Sequence, residues 1–340
     1  MIVDANLFVH IQKAALELKQ GRLIGFPTET VYGLGADACN AKAVEGIFLL
    51  KGRPSDHPLI VHIANKNDLS FFATNIPAFA QALMDAFWPG PLTLILTRQN
   101  DVATAAAGGQ DNIGIRMPSH SVALAVLKEA AQLGVMGVAA PSANRFGRVS
   151  PTTALHVQDE FGQELFILDA GACPVGIESV IVDCTRKHPV LLRPGMLTID
   201  ALSKACGQQV LLAHELESAS PKASGTLESH YAPQAKVILF ESQDLKLALK
   251  DRLAKGLDGL TVGVWTRTNL LGDDGFSSNT SADAGVFFVP MPNDAAHCAQ
   301  ALFSTLRELD GQCVDQIWIE RPPSSPDWTG VLDRLERAAY

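Results

Sequence analysis

The chain has 340 residues and a formal charge of -9, from 27 Lys+Arg against 36 Asp+Glu. Hydrophobic residues make up 47 % and charged residues 19 %, which excludes global disorder and leaves enough apolar surface for two cores. The acidic balance argues against nucleic-acid binding driven by bulk counterion release, although a local basic pocket stays open.

The opening is read as helical, because Leu7, Ile11, Ala14 and Leu18 recur at helical spacing before Gly21. A short apolar strand, Leu23-Ile24-Gly25-Phe26, ends at Pro27, and a polar segment from Thr28 to Asp37 follows. A helix is predicted around Ala43–Leu49. Strands are predicted at Leu59–Ile63, Leu92–Thr97, Ile113–Met117, Val135–Ala139, Phe166–Leu168, Val180–Val182 and Val190–Leu192. Helices are predicted at Ile76–Phe87, Val122–Leu133, Thr152–Phe161 and Ile199–Ala205. Strands outnumber helices and often follow one another directly. That pattern predicts an α/β domain built on a twisted mixed sheet with an open concave face. From Gly207 to Pro233 the composition becomes small and polar, as in Ser218–Gly225, and reads as a linker. Beyond it, strands at Lys236–Phe240, Leu260–Trp265, Val286–Val289 and Gln316–Ile319 and helices at Ala295–Glu308 and Gly330–Ala339 predict a small Rossmann-like three-layer α/β domain. The expected division is residues 1–206, a linker or lid over 207–233, and 234–340.

No stretch approaches the roughly 20 apolar residues of a membrane span, and Met1-Ile2-Val3-Asp4 lacks the basic start of a signal peptide. The six cysteines are scattered without a CxxC pair, which reads as reduced thiols of a cytoplasmic protein. GxxxxGK[ST] and HExxH are absent, and no metal-ligand cluster stands out by spacing.

Polar clusters lie where strands end. One is Pro27-Thr28-Glu29-Thr30-Val31-Tyr32-Gly33-Leu34-Gly35. A second, Lys51-Gly52-Arg53-Pro54-Ser55-Asp56-His57-Pro58, holds two cations in three residues. His62 lies within the strand that follows, where a lone histidine is usually a core residue. A third is Ala139-Ala140-Pro141-Ser142-Ala143-Asn144, with Ser150-Pro151 behind it as a helix N-cap candidate. A dispersed group comprises Asn112 and Arg116 on one strand, Glu178-Ser179 before another and Arg193 at the end of a third. Several arginines beside Lys51 suit a polyanion. With no catalytic dyad in view, the chemistry suggested is phosphoryl or nucleotidyl transfer by positioning and electrostatics.

Together with Trp88-Pro89-Gly90-Pro91-Leu92-Thr93, Pro141-Ser142-Ala143-Asn144 and Leu192-Arg193-Pro194-Gly195, these segments resemble the YrdC-like family of threonylcarbamoyl-AMP synthases over residues 5–205. His230-Tyr231-Ala232-Pro233 and Leu332-Asp333-Arg334-Leu335 resemble its longer, two-domain branch. The resemblance implies that L-threonine, bicarbonate or CO2 and ATP give threonylcarbamoyl-AMP and pyrophosphate, for modification of tRNA beside the anticodon. It implies threonine binding by Thr30, His62, Arg116, Ala140 and Ser179. It implies ATP binding by Arg53, His57, Asn112, Ser142, Ser150, Arg193 and Tyr231, and a catalytic signature of Lys51, Arg53, Ser142 and Asn144. Mg2+ is expected to arrive on ATP, with no protein metal site, and tRNA or a tRNA-modification transferase is a candidate transient partner. The chain departs from the family at His57, where Asn is frequent, and at Ser224–Ser229, where many members have a shorter run. The alternatives are a non-catalytic RNA-binding module, against which the charge of -9 counts, and a carbamoyltransferase-type relative, whose usual acylphosphatase and zinc-finger modules are not seen in this chain.

Overall fold

The computed structural model describes residues 1–215, 221–223, 225, 230–255, 259–267 and 285–340. The linker residues 216–220, 224 and 226–229 lie outside the described residues, and with them most of the Ser224–Ser229 departure. Two compact units are present. Unit 1 comprises residues 1–146 and 150–226, and unit 2 comprises 147–149 and 227–340.

In unit 1 the chain runs through β1 (Ile2–Asp4), α1 (Phe8–Lys19), β2 (Ile24–Phe26), β3 (Gly33–Asp37), α2 (Ala41–Lys51), β4 (Ile60–His62), α3 (Leu69–Phe72) and β5 (Ala73–Thr74). It continues through α4 (Ala78–Phe87), β6 (Leu92–Arg98), β7 (Asn112–Arg116), α5 (Ser121–Gln132), β8 (Val138–Ala139), α6 (Ala154–Phe161) and β9 (Phe166–Asp169). Then follow β10 (Val180–Asp183), β11 (Val190–Arg193), α7 (Ile199–Cys206) and β12 (Leu211–Leu212). One mixed sheet orders these strands β1-β9-β2-β3-β8-β4-β7-β6-β10-β11-β12, with β5 paired to β6. β4 pairs parallel with β7 and antiparallel with β8, and β6 pairs antiparallel with β7 and parallel with β10. The mixed α/β fold expected from the sequence is therefore present.

Four strands escaped the sequence reading: β1, β3, β5 and β12. β1, β5 and β12 are two or three residues long, too short for a period-2 signal. The last falls in the stretch read as linker, yet it pairs with β11 as an edge strand. β3 contains two glycines and reads as a loop. The sheet explains one of them, because a Cβ at Gly35 would stand 2.9 Å from both Phe26 and Val138. The helix caps also differ. Thr153, not Ser150, caps α6, its hydroxyl accepting from the His156 N–H at 3.3 Å.

Helix α2 positions much of the site. Asn40 caps its start through the Ala43 N–H at 3.1 Å. Gly52 ends it in the left-handed region, at φ 64°, where a side chain would be strained. That stop leaves Lys51 in the last turn, with its side chain buried, and sends the chain off toward Arg53. Val44, Ile47 and Phe48 of the same helix pack into the main core with Leu34, Val61 and Leu94.

Unit 2 contains β13 (Lys236–Phe240), α8 (Ser242–Lys255), β14 (Val262–Thr266), β15 (Val286–Pro290), α9 (Ala295–Gly311), β16 (Gln316–Glu320) and α10 (Thr329–Ala339). Its strands are all parallel, in the order β13-β16-β14-β15. The sequence reading missed α8, whose surface is mostly polar and gives a weak apolar stripe.

Candidate functional site

The site is built on one face of the unit 1 sheet. Strand register sets His62 opposite Arg116, and Arg116 opposite Thr93. Paired residues share a face, so three polar side chains form a row across β4, β7 and β6. Two residues along, the same face carries Ile60, Gly114 and Ile95, and at its far end Asn112 opposite Thr97. Gly114 leaves this floor low, and a shallow cleft is lined there by Pro58, Ile60, Thr93, Gln110, Asn112 and Lys222, among others. Asn112 and Arg116, four residues apart on β7, are separated by about 13 Å. The face therefore has a charged end and a neutral, partly apolar end.

At the charged end Arg116 is buried. Its Nε donates to the Gly90 carbonyl at 3.3 Å and a terminal nitrogen donates to Thr30 Oγ1 at 2.8 Å. Its other terminal nitrogen lies 2.6 Å from Glu29 Oε1 in an ion pair whose side chains are only 5 % and 6 % exposed. Burial pushes the Glu29 carboxyl up, and the Arg116 guanidinium more than offsets this, so the group sits below its ordinary range. Burial, and then the Arg116 charge, pushes the His62 imidazole down to about 3, which keeps it neutral at physiological pH. Thr93 Oγ1 shares a hydrogen bond with Ser179 Oγ at 2.8 Å, and Arg193 donates to the Ser179 carbonyl at 3.0 Å and to its hydroxyl at 3.3 Å.

The other cations enter from the side. Lys51 Nζ donates to the Ser142 carbonyl at 2.6 Å and also to the Asn144 carbonyl. Burial first, then the neighbouring Arg53 charge, holds this amine well below the usual lysine range. A backbone hydrogen bond from the Phe146 N–H to the Lys51 carbonyl at 2.8 Å fixes the same loop a second time. Arg53 donates to the Pro58 carbonyl at 2.9 Å and lies over the Phe146 ring, against which the His57 ring also packs. Burial and Arg53 lower the His57 imidazole. Ser150 donates to Glu178 Oε1 at 2.5 Å.

The backbone ties the polar clusters together. Tyr32 N–H donates to the Pro151 carbonyl, Leu34 N–H to that of Pro141, Ala143 N–H to that of Tyr32, and Gly176 N–H to that of Thr30. The segments around Thr30–Leu34, Pro141–Ala143, Pro151 and Gly176 are thus joined in unit 1. Tyr231 belongs to unit 2, where it is buried against Phe303, His230 and Arg334. The sequence reading gave no role to Glu29, Thr93 or Gln110. Thr93 was legible only in the register, Glu29 only as the neighbour of Thr30, and Gln110 in neither.

This arrangement is a set of buried cations and hydroxyls on the face of a mixed sheet in an α/β unit. Residues 17–195 match the family model Sua5_yciO_yrdC, described as telomere recombination, and residues 197–340 match that of the threonylcarbamoyl-AMP synthase C-terminal domain. The chain is 38 % identical to the threonylcarbamoyl-AMP synthase of Pyrococcus abyssi, over 97 % of this chain and 94 % of that one. It is 36 % identical to the enzyme of the same name from Bacillus subtilis, over 97 % and 92 %. A crystal structure of P. abyssi Sua5 complexed with L-threonine superposes with a TM-score of 0.85 at 36 % identity, covering 98 % of this chain and 95 % of that one. The chain belongs to the threonylcarbamoyl-AMP synthase family, in its two-domain form.

No helix among the described residues is long and apolar enough to cross a membrane.

Proposed function

We propose that the chain makes threonylcarbamoyl-AMP and pyrophosphate from L-threonine, bicarbonate or CO2, and ATP. The observation that carries this reading is the buried polar row His62–Arg116–Thr93, continued by Ser179 and Arg193 and flanked by Lys51 and Arg53. Relatives named for the activity over nearly the whole chain support it and disfavour a non-catalytic RNA-binding module.

In this reading Arg116 takes the threonine carboxylate, while Thr30, His62 and Ser179 surround the rest of the amino acid. The Ala140 N–H already donates to the Ile60 carbonyl at 2.9 Å, so Ala140 would serve through its own carbonyl. ATP lies toward Asn112, with Arg53, His57, Ser142, Ser150 and Arg193 around its base, ribose and phosphates. Lys51 and Asn144 hold the loop that bears Ser142. The threonine ammonium gives one proton to solvent, and the neutral amine then attacks CO2 and gives a second proton to solvent, leaving a carbamate. One carbamate oxygen attacks the α-phosphorus, and the bond to the β-phosphate oxygen breaks, releasing pyrophosphate. With bicarbonate as the carbon source, one water leaves. Lys51, Arg53 and Arg193 stabilise the charge that builds on the phosphates.

Among the described residues no group of three or more His, Cys, Asp or Glu could hold a metal. The donors around the site are mainly cations and hydroxyls. That set fits Mg2+ carried on the ATP phosphates with its own waters rather than an ion caged by the protein.

The domain division of the sequence reading is retained as part of the proposal, with residues 207–233 as a lid. One described stretch of it, Pro221–Ala223, supports this. Lys222 N–H donates to Gln110 Oε1 at 3.1 Å, Gln110 Nε2 donates to the Lys222 carbonyl at 3.4 Å, and Lys222 Nζ pairs with Asp56 at 2.6 Å. This strap lies along the Asn112 end of the cleft. Tyr231 is retained in the proposal as an ATP contact. The product would serve tRNA modification in the cytoplasm, directly or through a transferase partner.

The test is incubation of the full chain with ATP, bicarbonate and labelled threonine, followed by chromatography. Threonine-dependent pyrophosphate and a labelled adenylate are expected. Neither appearing would overturn the reading.

A further inference from the structure

Glu29 is the carboxylate that meets Arg116 at the charged end of the polar row, and the reaction as written gives it no task. Its side chain is 6 % exposed, and it meets Arg116 at 2.6 Å as an ion pair. Arg116 and the backbone N–H groups of Glu29 and Ser119 approach its carboxylate and favour the charged form, but none is aligned well enough to satisfy either buried oxygen. A carboxylate in that state is costly unless a donor completes it. Arg116 shows the complementary condition. A guanidinium has five N–H groups. The contacts to Gly90, Thr30 and Glu29 engage one on each nitrogen, which leaves one further N–H on each terminal nitrogen. His62, across the strand pair from Arg116, is neutral. Arg116 and Glu29 therefore form a pair of zero net charge, with unused donors on one partner and unused acceptors on the other.

Resting on the function proposed above, we infer that Glu29 binds the α-ammonium of the amino acid, so that Glu29 and Arg116 together select a zwitterion. The substrate carboxylate takes the remaining terminal N–H groups of Arg116, and its ammonium, with three donors, completes the Glu29 carboxylate. Charge balance follows at once, because a neutral pair receives a neutral ligand with its two charges in opposite order. A hydroxy acid lacking the amine brings one uncompensated negative charge and leaves the Glu29 oxygens bare. Glu29 is thus a specificity-determining residue that reads the very nitrogen to be carbamoylated. Its place beside Thr30 in the chain keeps it there. Val175 N–H donates to the Glu29 carbonyl at 2.8 Å, and the next N–H, Gly176, donates to the Thr30 carbonyl.

The test compares L-threonine with (R)-3-hydroxybutyrate, the same molecule without the amine, by calorimetric titration of the full chain. The native chain is expected to prefer threonine by about 30-fold or more, the scale of a charge-assisted hydrogen bond. Glu29→Gln is isosteric and removes the charge. It should weaken threonine, strengthen 3-hydroxybutyrate at the uncompensated Arg116, and shrink the preference at least about tenfold. Glu29→Asp keeps the charge and should retain most of the preference. A merely structural role would weaken both ligands together and leave their ratio unchanged. A Glu29→Gln ratio within threefold of the native one overturns the inference. Should Glu29→Gln not fold, a native preference below threefold overturns it, and a large preference kept by Glu29→Asp supports it. A native chain that forms the adenylate but fails these comparisons refutes the role of Glu29 alone. A chain that forms none refutes the function on which it rests.

Discussion

Lys51 is the residue at which structure and catalysis are hardest to separate, and Lys51→Met separates them. Methionine keeps the apolar stem that leaves α2 and removes only the ammonium. The ammonium donates to two backbone carbonyls, Ser142 and Asn144, on the loop that carries the signature serine and asparagine. The side chain is nearly inaccessible, so water cannot easily replace it. A hydrogen bond from a charged donor contributes about 1.5–3 kcal/mol. Two at the lower bound give about 3 kcal/mol, and the low amine pKa enforced by burial and Arg53 argues for that bound. In a unit of this size that corresponds to a fall in melting temperature of roughly 6–12 °C. The loop keeps one tether, the bond from Phe146 N–H to the Lys51 carbonyl, so folding should survive. Threonine-dependent pyrophosphate release should drop further than the loss of folded protein explains, because Ser142 and Asn144 lose their support. Differential scanning fluorimetry, together with the pyrophosphate assay at a temperature where both proteins are folded, reads the two effects. A melting temperature within 1 °C of the native one, with unchanged turnover, would refute the claim that Lys51 braces this loop.

Arg53→Ala should weaken ATP binding roughly ten- to a hundredfold, measured calorimetrically, and leave threonine binding nearly unchanged; equal loss of both ligands would place Arg53 outside the nucleotide end. Lys222→Ala, which removes the ion pair to Asp56 but not the backbone contacts to Gln110, should raise the KM for ATP without altering the melting temperature. An unchanged KM would leave the strap as a tether. Acidification should destabilise the fold through His62, whose imidazole sits at about 3 when folded against an ordinary 6.5. Between those values the unfolded chain binds the proton and the folded chain does not, so the contribution is full above 6.5 and is lost as pH falls toward 3. From pH 7 to 5 the loss is about 2 kcal/mol, and the urea-unfolding difference between native and His62→Gln chains should shrink accordingly; a pH-independent difference would refute it.

The sequence carried most of the elements and little of their adjacency, and the reason is physical. Helices of eight or more residues with a clear apolar stripe, such as α1, α4 and α5, announce themselves by period, and so do buried strands such as β6. The family resemblance then supplied the order of the site segments, but register lies in no single segment. Only the pairing of β4 with β7 and of β7 with β6 brings His62, Arg116 and Thr93 into one row, across 54 residues of chain. Lys51 shows the same limit from another side. Read along the chain, it is a cation at a helix end, and dipole capping accounts for it. In the fold its amine turns away from solvent and braces a loop 91 to 93 residues distant. Glu29 was visible as a letter between two threonines, with nothing to show that it would face a guanidinium 87 residues on. Burial turns that pairing from a surface contact into a constraint, since a charge 6 % exposed must be matched. What a single sequence withholds at this site is therefore the partner of each charge, and the partner decides what the charge can do.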